Sequence, residues 1–233
     1  MKIEKQILLD FLKKVGMQGT NSIEEAIFNF TETGLKVSAT TEGKTARVDA
    51  LLKSSAFKEY EAIEEIGIQD ISTIRKIVGT FSDNLTFQIE GNIITFKDKA
   101  KEMTTELLDT QFIDKVAELK EMEHDEIITL ESSTLKEIIA DANINKEFSL
   151  KLTTKEKSVS IVNTGKYAFK RYLTIPEAKG GVEVYLGEPF VDAVSNLTGS
   201  LKVHLKTNYP IKIYEKTDDM IVTMIVAPQT TEE

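Results

Sequence analysis

The chain has 233 residues, 41% hydrophobic and 29% charged, a composition typical of a folded protein with one large or two smaller domains. Its net charge of −9 argues against a protein that coats nucleic acid over its whole surface, although 29 lysines and arginines permit a local basic patch. The absence of cysteine excludes disulfides and thiolate chemistry. The chain has no apolar run of about 18 residues and no signal-peptide core, so we expect a soluble, intracellular protein.

The first half of the chain alternates strands and helices in a fixed order. A strand at 1–5 precedes a helix at 6–15, whose apolar residues recur at helical spacing, and alternating strands follow at 26–30, 35–39 and 46–52. Thr33-Gly34 and Glu42-Gly43 are turn signals between these strands. The same order then repeats, with a strand at 63–68, a helix at 70–78 and strands at 85–89, 92–96 and 102–108.

The charge-dense segment before residue 126 interrupts this order. It carries acids and lysines in close succession, with Val116, Leu119 and Met122 spaced along it. We interpret residues 113–125 as a linker between two domains; a short helix that continues the fold is the alternative.

The order then recurs twice more in the second half. We predict a strand at 126–130, a helix at 132–142 and strands at 148–152, 159–162 and 167–173, then a strand at 182–186, a helix at 188–197 and a strand at 201–205. Pro189 fits the first helical position. The last piece, Tyr209 to Pro228, is predicted as a β-hairpin that turns at Lys216-Thr-Asp-Asp219 and closes a sheet.

Four β-α-β-β-β units in sequence predict the fold class, because repetition at this scale determines the architecture. We expect an α+β protein of two similar domains at 1–112 and 126–228, with antiparallel sheets, the linker at 113–125 between them and an acidic tail at 229–233.

In its pattern and in several local matches, the chain resembles DNA sliding clamps of the proliferating cell nuclear antigen type, a family that includes archaeal, eukaryotic and phage clamps. The matches are Leu12-Lys-Lys-Val15, Thr33-Gly34-Leu35, Phe57-Lys-Glu-Tyr60, Gly187-Glu-Pro189 and the terminal hairpin with Ala227-Pro228. The resemblance implies a ring, commonly a homotrimer, with helices lining the hole and sheets outside. It also implies edge-to-edge pairing of subunits, here 102–109 of one with 167–173 of the next, which would satisfy open sheet edges.

The resemblance implies a DNA-facing surface on the helices. Lys13, Lys14, Arg75 and Lys76 lie opposite the apolar stripes of the first two helices, and the third helix offers Lys136. These cations would meet phosphates without reading sequence, as sliding requires; the alternative is that they are ordinary solvated helix cations. The third helix has Glu137 and Ala140 where clamps usually carry arginines, and the fourth has Asp192, Ser195 and Asn196, so the second domain should be less positive than usual.

The resemblance also implies a docking site for short peptides of partner proteins, including DNA polymerase and a clamp loader. Its residues would be Leu119, Met122, Pro210, Ile225, Ala227 and Pro228. An aromatic or aliphatic plug would be buried there; the alternative is that Ile225 and Met122 are ordinary core or edge residues. Thr40, which we place in a flanking loop, replaces a usually larger apolar residue, so partner preference should differ accordingly.

The expected function is that of a polymerase processivity factor, which encircles duplex DNA and catalyses no reaction. We predict no cofactor, metal site, catalytic residue or membrane partner, because the sequence has no nucleophile–histidine–acid set, zinc spacing or glycine-rich phosphate loop. We place the isolated acids Asp192, Asp218 and Asp219 in turns or on helix surfaces. Two alternatives remain: a clamp-like subunit of a hetero-oligomeric repair or transcription scaffold, and a β-rich assembly protein with no DNA role.

Overall fold

The computed structural model describes residues 1–17, 19–144, 148–163 and 166–229. The first half contains two repeats of a strand, a helix and three strands. The first repeat comprises β1 (Lys2–Glu4), α1 (Lys5–Gly16), β2 (Ala26–Thr31), β3 (Gly34–Thr40) and β4 (Ala46–Lys53). A short strand, β5 (Phe57–Glu59), leads to the second, which comprises β6 (Ile66–Ile68), α2 (Ile71–Gly79), β7 (Asn84–Glu90), β8 (Ile93–Lys97) and β9 (Glu102–Glu106).

The second half repeats the same order twice. The third repeat comprises β10 (Glu126–Glu131), α3 (Ser132–Ala142), β11 (Leu150–Lys155), β12 (Ser158–Asn163) and β13 (Phe169–Thr174). The fourth comprises β14 (Glu183–Leu186), α4 (Glu188–Ser195), β15 (Ser200–Leu205), β16 (Ile211–Lys216) and β17 (Met220–Val226). The predicted fourfold order is therefore confirmed. None of the helices in the described ranges is long and apolar enough to cross a membrane.

The two repeats of each half exchange their first strands. In the first half, β1 pairs with β7 and β6 pairs with β2; in the second, β10 pairs with β15 and β14 pairs with β11, all antiparallel. A repeat separated from its neighbour would leave sheet hydrogen bonds unmade, so the two repeats of a half stabilise each other.

The strands form three sheets, and the largest joins the two halves. Their orders are β5-β1-β7-β8-β9, β10-β15-β16-β17-β4-β3-β2-β6 and β13-β12-β11-β14. The junction is an antiparallel pairing of β4 with β17 that runs from Leu52 opposite Met220 to Ala46 opposite Val226. The predicted hairpin thus closes a sheet that both halves share.

Several boundaries differ from the sequence-based prediction. The strand β5 was not predicted, and the strands predicted at 63–68 and 102–108 are shorter, with Leu108 forming only an isolated bridge to Gly67. A Cβ at Gly67 would lie 2.3 Å from the Leu108 carbonyl oxygen, so only glycine fits this approach. Residues 113–125 form neither helix nor strand, which excludes the short-helix alternative. Residues 230–233 of the predicted tail lie outside the described residues.

The helices bury their apolar faces against the sheets. Phe11 of α1 is fully buried and meets Phe28 of β2 edge-on, with 6.4 Å between ring centroids. Asp70 caps the start of α2: its side chain accepts hydrogen bonds from the backbone N–H of Thr73 (2.7 Å) and from the Thr73 hydroxyl (2.6 Å). Pro189 lies in the first turn of α4, as predicted.

The edge strands of the sheets differ in how they are covered. At the edge strand β10, the backbone N–H of Thr129 donates to Glu177 Oε1 (2.7 Å), and buried Glu126 accepts from the backbone N–H of Lys179. The loop that carries Glu177 and Lys179 therefore covers this edge. Strands β9 and β13 are the outer strands of the five-stranded and four-stranded sheets.

Candidate functional site

The segment 113–125 crosses the molecule as a strap held at several points. The Lys115 ammonium lies 2.9 Å from Glu65 Oε1, and Arg47 Nη1 donates to the carbonyl of Ala117 (2.7 Å). At the far end, His124 Nε2 lies 3.0 Å from the Pro210 carbonyl oxygen. The backbone N–H of Asp125 donates to the carbonyl of Leu205 (3.0 Å). The strap is thus held to residues of both halves.

The strap lies beside a cross-strand row on the outer face of the eight-stranded sheet. Strand register places these residues next to one another in the order Thr40, Arg47, Ile225, Lys212, His204 and Ile127. Side chains of directly opposite residues share a face of the sheet. Arg47 and His204 contact the strap, so this row forms the floor of a groove beside it. Thr40 ends strand β3, which corrects its predicted place in a loop.

The structure brings most of the predicted docking residues to this groove. The His124 ring lies between the carbonyl oxygens of Met122 (3.2 Å from Nδ1) and Pro210 (3.0 Å from Nε2), which places these two residues together. Ile225 lies in the floor row and is half-buried, while Leu119 is 38% exposed. Ala227 donates its backbone N–H to the carbonyl of Thr45 (2.8 Å), and half-buried Pro228 follows it.

Two histidines that the sequence places in different units meet at the end of the strap. The rings of His124 and His204 pack edge-on with centroids 5.5 Å apart, and Tyr209 packs against His124 at 5.6 Å. Burial lowers the pKa of His204, and the nearby charges of Lys212, His124 and Lys202 lower it further. Sequence reasoning missed this cluster, since only the pairing of β10, β15 and β16 assembles it.

A cleft of about 930 Å³ opens at the other end of the groove. Thr40 and Val116 line it, so it adjoins both the floor row and the start of the strap. Its walls carry more acids than bases: Glu24, Glu25, Glu42, Asp70 and Asp114 against Lys44. The end of the groove at the cleft is therefore acidic.

The predicted DNA-facing cations divide into two groups. Lys76 and Lys136 are exposed, and Arg75 is half-exposed on α2. Lys13 is half-exposed beside Asp10, with 3.9 Å between the ammonium and a carboxylate oxygen. Helices α1 and α2 pack against each other, which brings Lys13, Arg75 and Lys76 into one region.

The prediction that Lys14 lies on the solvated face of α1 is wrong. Lys14 is 3% exposed, and its ammonium donates to Glu215 Oε1 on β16 at 2.8 Å. The prediction that Asp192 is a helix-surface acid is also wrong, because Asp192 is buried and accepts from the backbone N–H (3.0 Å) and side-chain amide (2.9 Å) of Asn21. Both residues join the two halves, and helical periodicity within one helix does not reveal a partner on another element.

The third helix has a neutralising partner that the sequence did not indicate. Arg171 of β13 reaches α3 and pairs with Glu137 (Nη1 to Oε2, 3.1 Å) and Asp141 (Nη2 to Oδ2, 2.7 Å). The pairing offsets the negative charge of two carboxylates on the helix. In the sequence, Arg171 is recognisable only as a cation within a predicted strand, and this pattern does not identify its partners.

The fold defines the class of protein: a two-part α+β chain of four strand-exchanged repeats with the architecture of a DNA clamp. No family model matches the chain. The chain superimposes on a solved structure described as the C-terminal region of FEN-1 bound to A. fulgidus PCNA, with a TM-score of 0.87, 21% identity and coverage of 100% of this chain and 98% of the other. The PCNA of Entamoeba histolytica gives a TM-score of 0.84 at 18% identity, with 98% of each chain covered.

Curated relatives give the same result from sequence. A DNA polymerase sliding clamp of Thermococcus gammatolerans is 27% identical, with 91% of this chain and 92% of the relative covered. A sliding clamp of Methanococcus maripaludis is 23% identical, with coverage of 93% and 94%. The resemblance to a sliding clamp of the proliferating cell nuclear antigen type is therefore confirmed in both fold and sequence.

Proposed function

We propose that this chain is the subunit of a DNA sliding clamp, a processivity factor that encircles duplex DNA and holds DNA polymerase and other replication and repair proteins on it. The observation that carries the proposal is the four-repeat clamp fold along the whole chain, joined to sequence similarity with sliding clamps over nine-tenths of it. The chain would act where DNA is replicated and would catalyse no reaction itself. A separate loader would open the ring.

The ring would assemble by pairing β9 of one subunit with β13 of the next. Within the described residues, each strand lies at the edge of its sheet, with one side free of strand pairing. The exposed charges on the two strands are complementary: β9 carries Glu106, whereas β13 carries Lys170. Large apolar side chains are exposed on both strands, Met103 at 37% and Tyr172 at 70%, and pairing would cover them. Because β9 and β13 differ, the contact would be head-to-tail, which gives a ring when the rotation between subunits closes. The resemblance to sliding clamps implies closure as a homotrimer.

DNA would pass through the hole and meet the helices. Lys13, Arg75, Lys76 and Lys136 are the cations that support this arrangement, and Lys14 is not among them because it is buried. Contacts from lysine and arginine to phosphate give affinity without sequence preference, which a sliding protein needs.

Partner proteins would dock a short peptide in the groove beside the strap, on Leu119, Met122, Pro210, Ile225, Ala227 and Pro228. These residues are half-buried or exposed, so they offer apolar surface that a plug can cover. We propose domain boundaries at 1–112 and 126–228, with 113–125 as the connecting strap and 229–233 as a tail.

The proposal is tested on closed circular and linearised plasmid DNA. The protein, loaded by a cognate loader, should stay on the circle through gel filtration and slide off after linearisation. Equal retention on both forms, or none on the circle, would overturn encirclement. Light scattering measures the assembly in the same preparation, and a mass of one subunit at all concentrations would favour the hetero-oligomeric scaffold.

A further inference from the structure

The floor of the strap groove contains a lysine at its centre. Lys212 of β16 lies between Ile225 on one neighbouring strand and His204 on the other. Ile225 is a proposed docking residue, and the His204 ring packs on His124 of the strap. Lys212 therefore lies on the sheet face that a partner peptide would contact, next to a residue proposed to bind it.

The charge of Lys212 is not neutralised by a carboxylate of the described residues. Across those ranges, its ammonium has no carboxylate oxygen within the 4.0 Å that defines an ion pair. His204 responds to this charge, since burial lowers the pKa of its imidazole most and Lys212 has the next largest effect. Lys202 acts in the same direction.

The other cation of the floor row differs from Lys212. The Arg47 guanidinium is held by both carboxylate oxygens of Asp49, with Nε to Oδ2 and Nη2 to Oδ1 both at 2.7 Å, and its Nη1 donates to the strap at Ala117. Arg47 is thus occupied in fastening the strap. Among the described residues of the row, Lys212 is the cation that remains available to a bound peptide.

We propose that Lys212 makes the groove selective for partner peptides that carry a carboxylate side chain beside their apolar plug. The inference rests on the proposed docking of peptides in this groove. The plug would cover Ile225, and the neighbouring carboxylate would accept from the Lys212 ammonium one strand away. A lysine at that peptide position would meet Lys212 and Lys202 and be disfavoured.

The test uses one fluorescein-labelled synthetic peptide with a Leu-Phe plug in three versions, with glutamate, glutamine or lysine beside the plug. Fluorescence anisotropy with the full-length protein should give binding about 1.4- to fivefold tighter for the glutamate peptide than for the glutamine peptide, the range for an exposed ion pair. The lysine peptide should bind more weakly than both. The preference should shrink in high salt.

Protein variants test whether Lys212 is the source of the preference for the glutamate peptide. Lys212→Gln should remove it and Lys212→Glu should invert it, whereas Lys36→Gln should keep it. Lys36 is a matched control because it is exposed on the outer face of the same sheet, in the separate row that contains Leu51 and Ile221. Equal binding of the three peptides by the unaltered protein would overturn the role of Lys212 and leave the docking groove intact. Failure of all three to bind would overturn the docking proposal as well.

Discussion

The ammonium of Lys14 and the carboxylate of Glu215 are 2.8 Å apart in the interior of the protein, although 201 residues separate them. Glu215 also accepts from the backbone N–H (3.0 Å) and hydroxyl (2.6 Å) of Thr198. Both members of the pair are almost fully buried, so each compensates a charge that would be costly alone. The pair links the first helix to the terminal hairpin and thereby the two halves of the chain.

We expect Lys14→Ala to lower the free energy of unfolding by about 3–5 kcal/mol, because it leaves Glu215 buried without its counter-charge. Urea denaturation followed by circular dichroism measures the change. Lys13→Ala, on the exposed side of the same helix, is the control and should change stability by less than about 0.5 kcal/mol. A fully stable Lys14→Ala protein that no longer binds DNA would show that the lysine acts on DNA after all.

Asp70→Ala should lower stability at neutral pH by about 1 kcal/mol because it removes the N-cap of α2, whereas Asp70→Asn should retain most of it. Hydrogen bonds from the side chain and backbone of Thr73 lower the pKa of Asp70 below its ordinary value of 3.8. A depressed folded-state pKa gives stability that is present above pH 3.8 and is lost as the pH falls below it. The difference between the unaltered protein and Asp70→Ala should therefore shrink in acid, as measured by urea midpoints from about pH 7 to about pH 3.

Lys13→Glu combined with Lys76→Glu should weaken retention on circular DNA and leave the assembly intact, because the exposed cations of α1 and α2 would meet phosphates. The slope of log affinity against log salt should fall by about one for each phosphate that is no longer bound. Lys36→Glu combined with Lys216→Glu is the charge-matched control, since both lysines are exposed in one row of the outer face. Dissociation of the oligomer in light scattering would instead assign these lysines a structural role.

Ile225→Asp should abolish stimulation of the polymerase without changing the oligomeric state, because it places a charge where the peptide plug would be buried. The measurement is primer extension on a long template with the loaded protein. Ile221→Asp is a matched control on the same strand and face, in the row away from the strap. Unchanged stimulation by the Ile225 variant would place partner docking elsewhere.

Glu106→Lys should weaken subunit association, because it puts a positive charge on the edge proposed to meet Lys170. Adding Lys170→Glu should restore part of the assembly by exchanging the charges. Analytical ultracentrifugation across a dilution series measures both, with Glu90→Lys as a control in the same sheet away from the β9 edge. Association that is indifferent to all three changes would argue against the β9–β13 contact.

Much of the fold could be predicted because its signals are local. Alternation of apolar residues identifies strands, helical spacing identifies the four helices, and the cluster around Lys216-Thr-Asp-Asp219 predicts the turn between β16 and β17. Pro189 indicated the start of α4 for the same local reason. Of the candidate sites, Ile225, Met122 and Pro210 were named from the resemblance, and the structure places them around one groove.

The sequence by itself thus determined the order of elements, the fourfold repetition and which face of each element is apolar, since these depend on neighbours within a few residues. The tertiary structure alone decided which strands pair, and so the exchange of β1 and β6, the joining of β4 to β17 and the floor row that places Lys212 beside Ile225. It also decided that Lys14 and Asp192 are buried. Periodicity shows where a side chain points on its own element, but whether that side meets water or another element depends on contacts between distant parts of the chain.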